Sequence, residues 1–169
     1  MKMTEFLLAQ LEREADGTRR TLERVPEGRN DWKPHPKSMP MGYLASLVAK
    51  LPAWIEMMIE LEEYELNPPG ASRYQPQPAR TTQELVQMFE ESLAAGKRAL
   101  ARTNDEHLMK TWRLLVNGRV VSEQVRHVAL TDAVLSHLAH HRGQLGVYLR
   151  LNEVRVPALY GPSADEGGF

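Results

Sequence analysis

Apolar residues repeat at helical spacing along the stretch from Pro40 to Leu66. At about 100° per residue they fall on one broad helical face. That face is made of Tyr43, Leu44, Leu47, Val48, Leu51, Trp54, Ile55, Met58 and Ile59. A face this wide has to be covered by other elements of the fold. Pro52 lies inside the segment and removes one backbone hydrogen bond, so the helix is predicted to kink there.

Three other segments show the same spacing and predict helices over 4–24, 82–102 and 123–152, the last with an interruption near Thr131. The helix over 82–102 should begin with a capping box, because Thr81 is followed three residues later by Glu84. Residues 67–78 predict an irregular loop. Four long helices joined by connections of unequal length favour an all-α helix bundle, in a single domain over residues 1–169.

One stretch, from Thr111 to Val121, does not follow the helical spacing. Two short apolar runs flank Asn117-Gly118, which is the sequence signature of a hairpin with a tight turn. A lone two-stranded ribbon is marginally stable, so we expect it to lean on the helices as a small insertion before the last one.

Composition excludes several classes of protein. The net charge is −1, which argues against a basic nucleic-acid-binding surface, and the absence of cysteine excludes disulfides and thiol nucleophiles. No apolar run approaches the roughly 20 residues that span a bilayer, so no membrane partner is expected. The amino terminus has no signal-peptide core, and a cytoplasmic location is the expectation.

The last predicted helix carries His137 and His141, four residues apart and therefore on one face. Two imidazoles at this spacing can chelate zinc or nickel, although paired helical histidines are often structural. Gln144 and Tyr148 lie beside them on the helical wheel. Leu138 stands where a His-Glu-x-x-His metalloprotease has its glutamate, which argues against that class.

The chain resembles the DinB-like (YfiT-related) superfamily in two segments. They are His137-x-x-x-His141-Arg142-Gly143-Gln144-Leu145-x-Val147-Tyr148-Leu149-Arg150 and Val156-Pro157-Ala158-Leu159-Tyr160-Gly161-Pro162-Ser163. This resemblance implies an up-down-down-up four-helix bundle that is commonly a homodimer. It also implies a metal ion held by three histidines, two from the last helix and one from the second. Some members resemble thiol-dependent transferases or isomerases.

The sequence departs from this pattern at Leu47, which occupies the position of the helix-two histidine. We therefore expect a degenerate metal site at His137 and His141, with no metal or a weakly bound zinc or nickel ion. A pocket at Leu47, Gln144 and Tyr148 could then hold a small ligand.

Two alternatives stay open. The first is a metal-dependent hydrolase or thiol-dependent transferase that uses His137 and His141, with His127 as a potential substitute ligand. The second is a structural or stress-related homodimer. Glu56 and Glu60 fall on the helical face opposite Leu47 and offer no replacement.

Two further side chains on the last helix carry specific expectations. Arg142 falls near the apolar arc, where a guanidinium needs a carboxylate or carbonyl partner, and it is expected to hold the carboxyl-terminal tail. Tyr148 is expected either to pack in the core with a bonded hydroxyl or to position a metal-bound water.

Overall fold

The computed structural model describes residues 1–68, Gly70 and 77–167. Its helices are α1 (Met3–Leu22), α2 (Met41–Lys50), α3 (Trp54–Glu60), α4 (Thr82–Arg102), α5 (Asp105–Leu108), α6 (Arg126–Leu130) and α7 (His137–Leu151). Its strands are β1 (Glu63–Glu65), β2 (Thr111–Val116) and β3 (Arg119–Val125). Most of the predicted loop over 67–78 lies outside the described residues. Within the described part of the chain, no helix has both the length and the apolarity of a membrane span.

The long helices pack around one apolar core. Helix α4 contacts α1, α2 and α3, and α7 contacts α1 and α2. The most deeply buried core side chains include Leu11, Leu22, Leu44, Val48, Phe89, Leu145 and Leu149. Thr81 caps helix α4 as the sequence predicts, because its hydroxyl accepts a hydrogen bond from the Glu84 N–H at 3.1 Å. The other half of the predicted capping box differs, since the Glu84 carboxylate accepts from the Arg80 N–H at 2.8 Å.

The all-α prediction is wrong, because the chain also forms a three-stranded mixed sheet in the order β1-β2-β3. Strand β2 pairs antiparallel with β3, and β1 joins the other side of β2 in parallel. The fold is therefore α+β, and the hairpin is part of a sheet rather than a lone insertion in an all-α four-helix bundle.

The predicted helix over 40–66 ends early for a reason that lies elsewhere in the chain. Helix α3 stops at Glu60, and Leu61 takes an extended backbone. The Arg113 N–H then donates to the Glu62 carbonyl at 3.2 Å, and the Leu66 N–H donates to the Leu115 carbonyl at 2.9 Å. Strand β2 thus supplies hydrogen-bond partners to backbone groups that a further helical turn would have paired within the helix.

The hairpin itself is confirmed. Asn117 and Gly118, which join β2 to β3, have φ angles of 53° and 73°. Positive φ at both central residues is typical of the tight primed turns that connect antiparallel strands, and asparagine and glycine adopt it most readily.

The predicted kink at Pro52 takes the form of a 3-10 turn over Leu51–Ala53, between α2 and α3. The Ser92 hydroxyl accepts from the Ala53 N–H at 2.8 Å and donates to the Lys50 carbonyl at 3.1 Å. Gly96 makes room for this turn, because a Cβ atom there would lie 2.6 Å from the Pro52 carbonyl oxygen. One hydroxyl and one glycine on α4 therefore accommodate the break.

Helices α6 and α7 are joined without a gap by a π-helical turn over Thr131–Ser136, which accounts for the predicted interruption near Thr131. At the start of α6, the Arg126 side chain is only 1% exposed. Its guanidinium donates to the carbonyls of Met58, His107 and Leu61 at 2.8, 3.1 and 3.2 Å. Arg126 thereby ties the end of α3 to the junction of sheet and helix.

Candidate functional site

His137 and His141 lie one turn apart on α7, as their spacing predicts, and their ring centroids are 4.5 Å apart. His141 is buried, whereas His137 is partly exposed. The exposed His140 lies beside them, with its ring centroid 4.8 Å from that of His141. Three imidazoles therefore meet on the first two turns of this helix.

Hydrogen bonds at Nδ1 orient both members of the pair. The His137 Nδ1 lies 3.2 Å from the Ala133 carbonyl, which can only accept, so Nδ1 carries the proton. The His141 Nδ1 lies 2.8 Å from the side-chain oxygen of Gln144, which also only accepts. In the neutral imidazoles, Nε2 is therefore the unprotonated nitrogen of each ring. Neither Nε2 atom is hydrogen-bonded to another residue in the described ranges.

The surroundings favour the neutral form of both rings. Burial lowers the pKa of His137 below its ordinary value, and the neighbouring His141 lowers it further. Burial also lowers the pKa of His141, more strongly than the hydrogen bond with Gln144 raises it. Neutral imidazoles with free Nε2 atoms are electron-pair donors, which suits them to a metal ion or to a hydrogen-bond donor.

Two contacts join α7 to the segment that contains Leu47. The Trp54 ring packs edge-on against His137 at 5.7 Å between centroids, and the Tyr148 hydroxyl donates to the Met39 carbonyl at 3.1 Å. Leu47 lies between Met39 and Trp54 along the chain. Its partly buried side chain packs against the apolar core.

No third ligand joins the pair. In the described part of the chain, no three histidine, cysteine, aspartate or glutamate side chains are grouped so that they could hold a metal ion. Glu56 and Glu60 approach Arg102 at 3.4 and 3.5 Å. The His127 Nδ1 lies 3.3 Å from the Leu108 carbonyl. The residues present therefore do not fit the three-histidine metal centre that the resemblance implies.

The predicted pocket residues divide between two places. Gln144 and Tyr148 line an open groove of about 400 Å³, together with Lys37, Ser38, Met39 and Val147. Leu47 is not part of this lining. The Tyr148 ring packs edge-on against Trp32 at 5.4 Å, and its hydroxyl is already bonded to Met39. Tyr148 is therefore a buried tyrosine with a bonded hydroxyl, as one of the two expectations stated.

Sequence reasoning missed two contacts of the histidine pair. Gln144 joins two of the imidazoles, because its amide nitrogen also lies 3.0 Å from the Nε2 of the exposed His140. Trp54 packs on His137, where the apolar face of the predicted helix indicated only that other elements of the fold cover it. The signal for Trp54 was its spacing of seven residues from Leu47, which places both on one helical face.

Arg142, next to His141, forms a separate buried cluster. Its terminal nitrogens donate to the Glu14 carboxylate at 2.6 Å, the Glu14 carbonyl at 3.1 Å, the Thr18 hydroxyl at 2.9 Å and the Tyr160 hydroxyl. The Tyr160 hydroxyl in turn donates to the Glu14 carboxylate at 2.6 Å. Arg142 thus joins α7 to α1 and to the carboxyl-terminal tail, and its predicted structural role is confirmed.

Known proteins support the fold and the family. A DinB-like protein from Bacillus cereus ATCC 10987 has a similar structure with a TM-score of 0.70 at 17% identity, over 92% of this chain and 97% of its own. The DinB-like protein YjoA from Bacillus subtilis matches with a TM-score of 0.66 at 17% identity, over 90% of this chain and 96% of its own. No curated protein sequence matches the chain significantly. The sequence model of the DinB family matches residues 1–167, and the chain therefore belongs to the DinB family.

Proposed function

We propose that this DinB-family protein carries a degenerate metal centre and binds a small ligand beside it, instead of holding a catalytic metal ion. The observation that carries the proposal is the pair of Nε2 atoms on His137 and His141, which have no hydrogen-bond partner in the described ranges. The family resemblance puts Leu47 at the position of a third ligand. A hydrocarbon side chain offers no lone pair. Catalytic zinc sites commonly have three protein ligands and one open position, so two imidazoles supply only part of such a site.

The groove lined by Gln144 and Tyr148 supports the ligand-binding part of the proposal. Its volume of about 400 Å³ lies in the range of small-molecule sites. Met39 and Val147 give it an apolar wall, while Lys37 and Ser38 supply a cation and a hydroxyl. This lining suits a small molecule with an apolar body and one anionic or hydrogen-bonding group. Gln144 belongs to both the groove and the histidine cluster, so a bound ligand would lie next to the imidazoles.

One observation favours a metal-dependent enzyme as the second candidate. Histidines that bind metals usually donate their other ring N–H to a carbonyl or carboxylate, which fixes the tautomer. His137 and His141 both do this through Nδ1. A hydrolase or thiol-dependent transferase would then need its remaining ligand from the substrate or cosubstrate. The homodimer stays a prediction, since it depends on the family resemblance alone.

A titration of zinc and nickel by calorimetry separates the two candidates. The unmodified chain should bind weakly, and Leu47→His should bind at least about 100-fold tighter, equivalent to about 2.8 kcal/mol, because a third nitrogen then joins the pair. Leu47→Gln is the matched control, since it adds polar atoms without an imidazole. Adding His141→Ala to Leu47→His should remove the gain.

Submicromolar binding by the unmodified chain, lost in His141→Ala, would contradict the proposal and favour the enzyme. The groove has its own test, in which carboxylate-bearing small molecules are screened for a rise in melting temperature. Val147→Trp fills the groove and should abolish any such rise. A rise of equal size in this variant would show that the ligand binds elsewhere.

A further inference from the structure

The Gln144 side chain bridges two imidazoles of unequal exposure on α7. Its oxygen lies 2.8 Å from the Nδ1 of the buried His141, and its nitrogen lies 3.0 Å from the Nε2 of the exposed His140. An amide has one accepting end and one donating end, so the direction in which it lies decides which nitrogen of each ring carries the proton.

The amide lies with its oxygen toward His141. In this direction the His141 ring donates its Nδ1–H to that oxygen and leaves Nε2 as an acceptor. If the amide were reversed, its N–H would face Nδ1, and the proton of the neutral ring would have to lie on Nε2. The exposed His140 can adopt either tautomer, because solvent satisfies its other nitrogen.

His137 reaches the same tautomer by an independent route. Its Nδ1 donates to the Ala133 carbonyl, which belongs to the π-helical turn. Backbone geometry therefore fixes one imidazole of the pair, whereas only the Gln144 side chain fixes the other. The two rings end with Nε2 unprotonated in both.

We infer that Gln144 is the positioning residue of the histidine pair, since it holds His141 as the Nδ1–H tautomer and so presents Nε2 to whatever binds there. The inference rests on the proposed function, which assigns the two Nε2 atoms to ligand recognition. The tautomer itself is a property of the free protein and needs no ligand.

The experiment is a long-range ¹H–¹⁵N correlation spectrum of the histidine rings in the ligand-free protein, at a pH where they are neutral. In the unmodified chain, His137 and His141 should both show Nδ1 as the protonated nitrogen. Gln144→Met keeps the size of the side chain and removes the amide. In this variant His141 should lose most of its Nδ1–H form and shift to Nε2–H, the tautomer that a free imidazole favours.

Three further measurements show whether the effect belongs to the Gln144 oxygen. Gln144→Glu retains an acceptor and should restore the Nδ1–H form of His141. His137 should stay Nδ1–H in every variant, since its partner is a backbone carbonyl. Gln87→Met is the matched control, because it removes an amide on α4 that bonds only to Glu91 and should change neither ring.

Two outcomes would overturn the inference. The first is a His141 ring that is Nε2–H in the unmodified chain, which would mean that the amide lies the other way. The second is a His141 ring that keeps Nδ1–H in Gln144→Met. Failure of Leu47→His to gain metal affinity would contradict the proposed function and leave these tautomer results unchanged, so the two failures are distinguishable.

Discussion

Two neighbouring residues of α7, His141 and Arg142, are both buried and polar, yet their side chains differ in how many of their polar atoms are hydrogen-bonded. Four of the five N–H groups of the Arg142 guanidinium donate to groups on α1 or the tail, whereas the buried Nε has no hydrogen-bond partner in the described ranges. The His141 ring is hydrogen-bonded at Nδ1, and its Nε2 has no hydrogen-bond partner in the described part of the chain. The helix thus has one face that is closed by hydrogen bonds and one that still offers an electron pair.

This difference separates a structural polar cluster from a site. A buried charge adds to the stability of a fold only when its partners offset most of the cost of its desolvation. A binding group needs the reverse, an atom that is oriented but unsatisfied. The following predictions test whether the two faces of α7 differ in this way.

The largest effect is expected from Arg142→Met. It leaves the Glu14 carboxylate, whose side chain is 13% exposed, without its cation. The free energy of unfolding in urea should fall by about 3–5 kcal/mol. Adding Glu14→Leu should recover part of the loss, because both charges are then gone. Arg150→Met is the control, because solvent screens its partly exposed pair with Asp165 and the loss of that pair should cost far less. A cost for Arg142→Met no larger than that of the control would contradict the assignment.

A smaller effect is expected from Tyr160→Phe, which keeps the ring over the Arg142 guanidinium, 5.2 Å away, and removes the hydroxyl. The hydroxyl links Arg142 to Glu14, so its loss should cost about 1 kcal/mol in the same urea measurement. In the Arg142→Met background this cost should nearly vanish, because the two side chains act through one cluster. Equal costs in both backgrounds would show that the hydroxyl acts independently.

The smallest effect concerns acid. Burial lowers the pKa of His137 and His141 in the folded chain, so between that lowered pKa and the ordinary one the unfolded chain binds more protons. The free energy of unfolding should therefore fall as the pH drops from about 7 to about 5. The double variant His137→Gln/His141→Gln should show a shallower fall. A double variant with the slope of the unmodified chain would contradict the prediction.

The elements that the sequence predicts well are those whose partners are local. The cap at Thr81, the turn at Asn117-Gly118 and the shared face of His137 and His141 all depend on residues within one turn of each other. Strand β1 was missed because Glu63-Tyr64-Glu65 lies at the end of a helical pattern and pairs with residues about fifty positions later. Three residues are too few to show the alternation of apolar and polar side chains that predicts a strand.

The same division applies to the site. The positions of the histidines follow from the sequence, and the expectation that Leu47 stands in place of a third ligand follows from the resemblance. The orientation of the rings does not, because it depends on the Ala133 carbonyl of a π-helical turn and on the direction of one glutamine amide. Whether Leu47 and the groove serve a ligand stays a prediction.

The π-helical turn at Thr131–Ser136 also sets the phase between the two halves of one long helix. A π-helical turn closes its hydrogen bond across one more residue than an α-helical turn, and each residue corresponds to about 100° of rotation. Two arginines therefore project from one continuous helix toward different partners. Arg126 binds the three carbonyls at the sheet junction, and Arg142 binds α1. Deleting one residue of the turn would leave both ends helical but point one of them away from its partners. The length of this turn thus determines whether the sheet junction and the histidine face can form together.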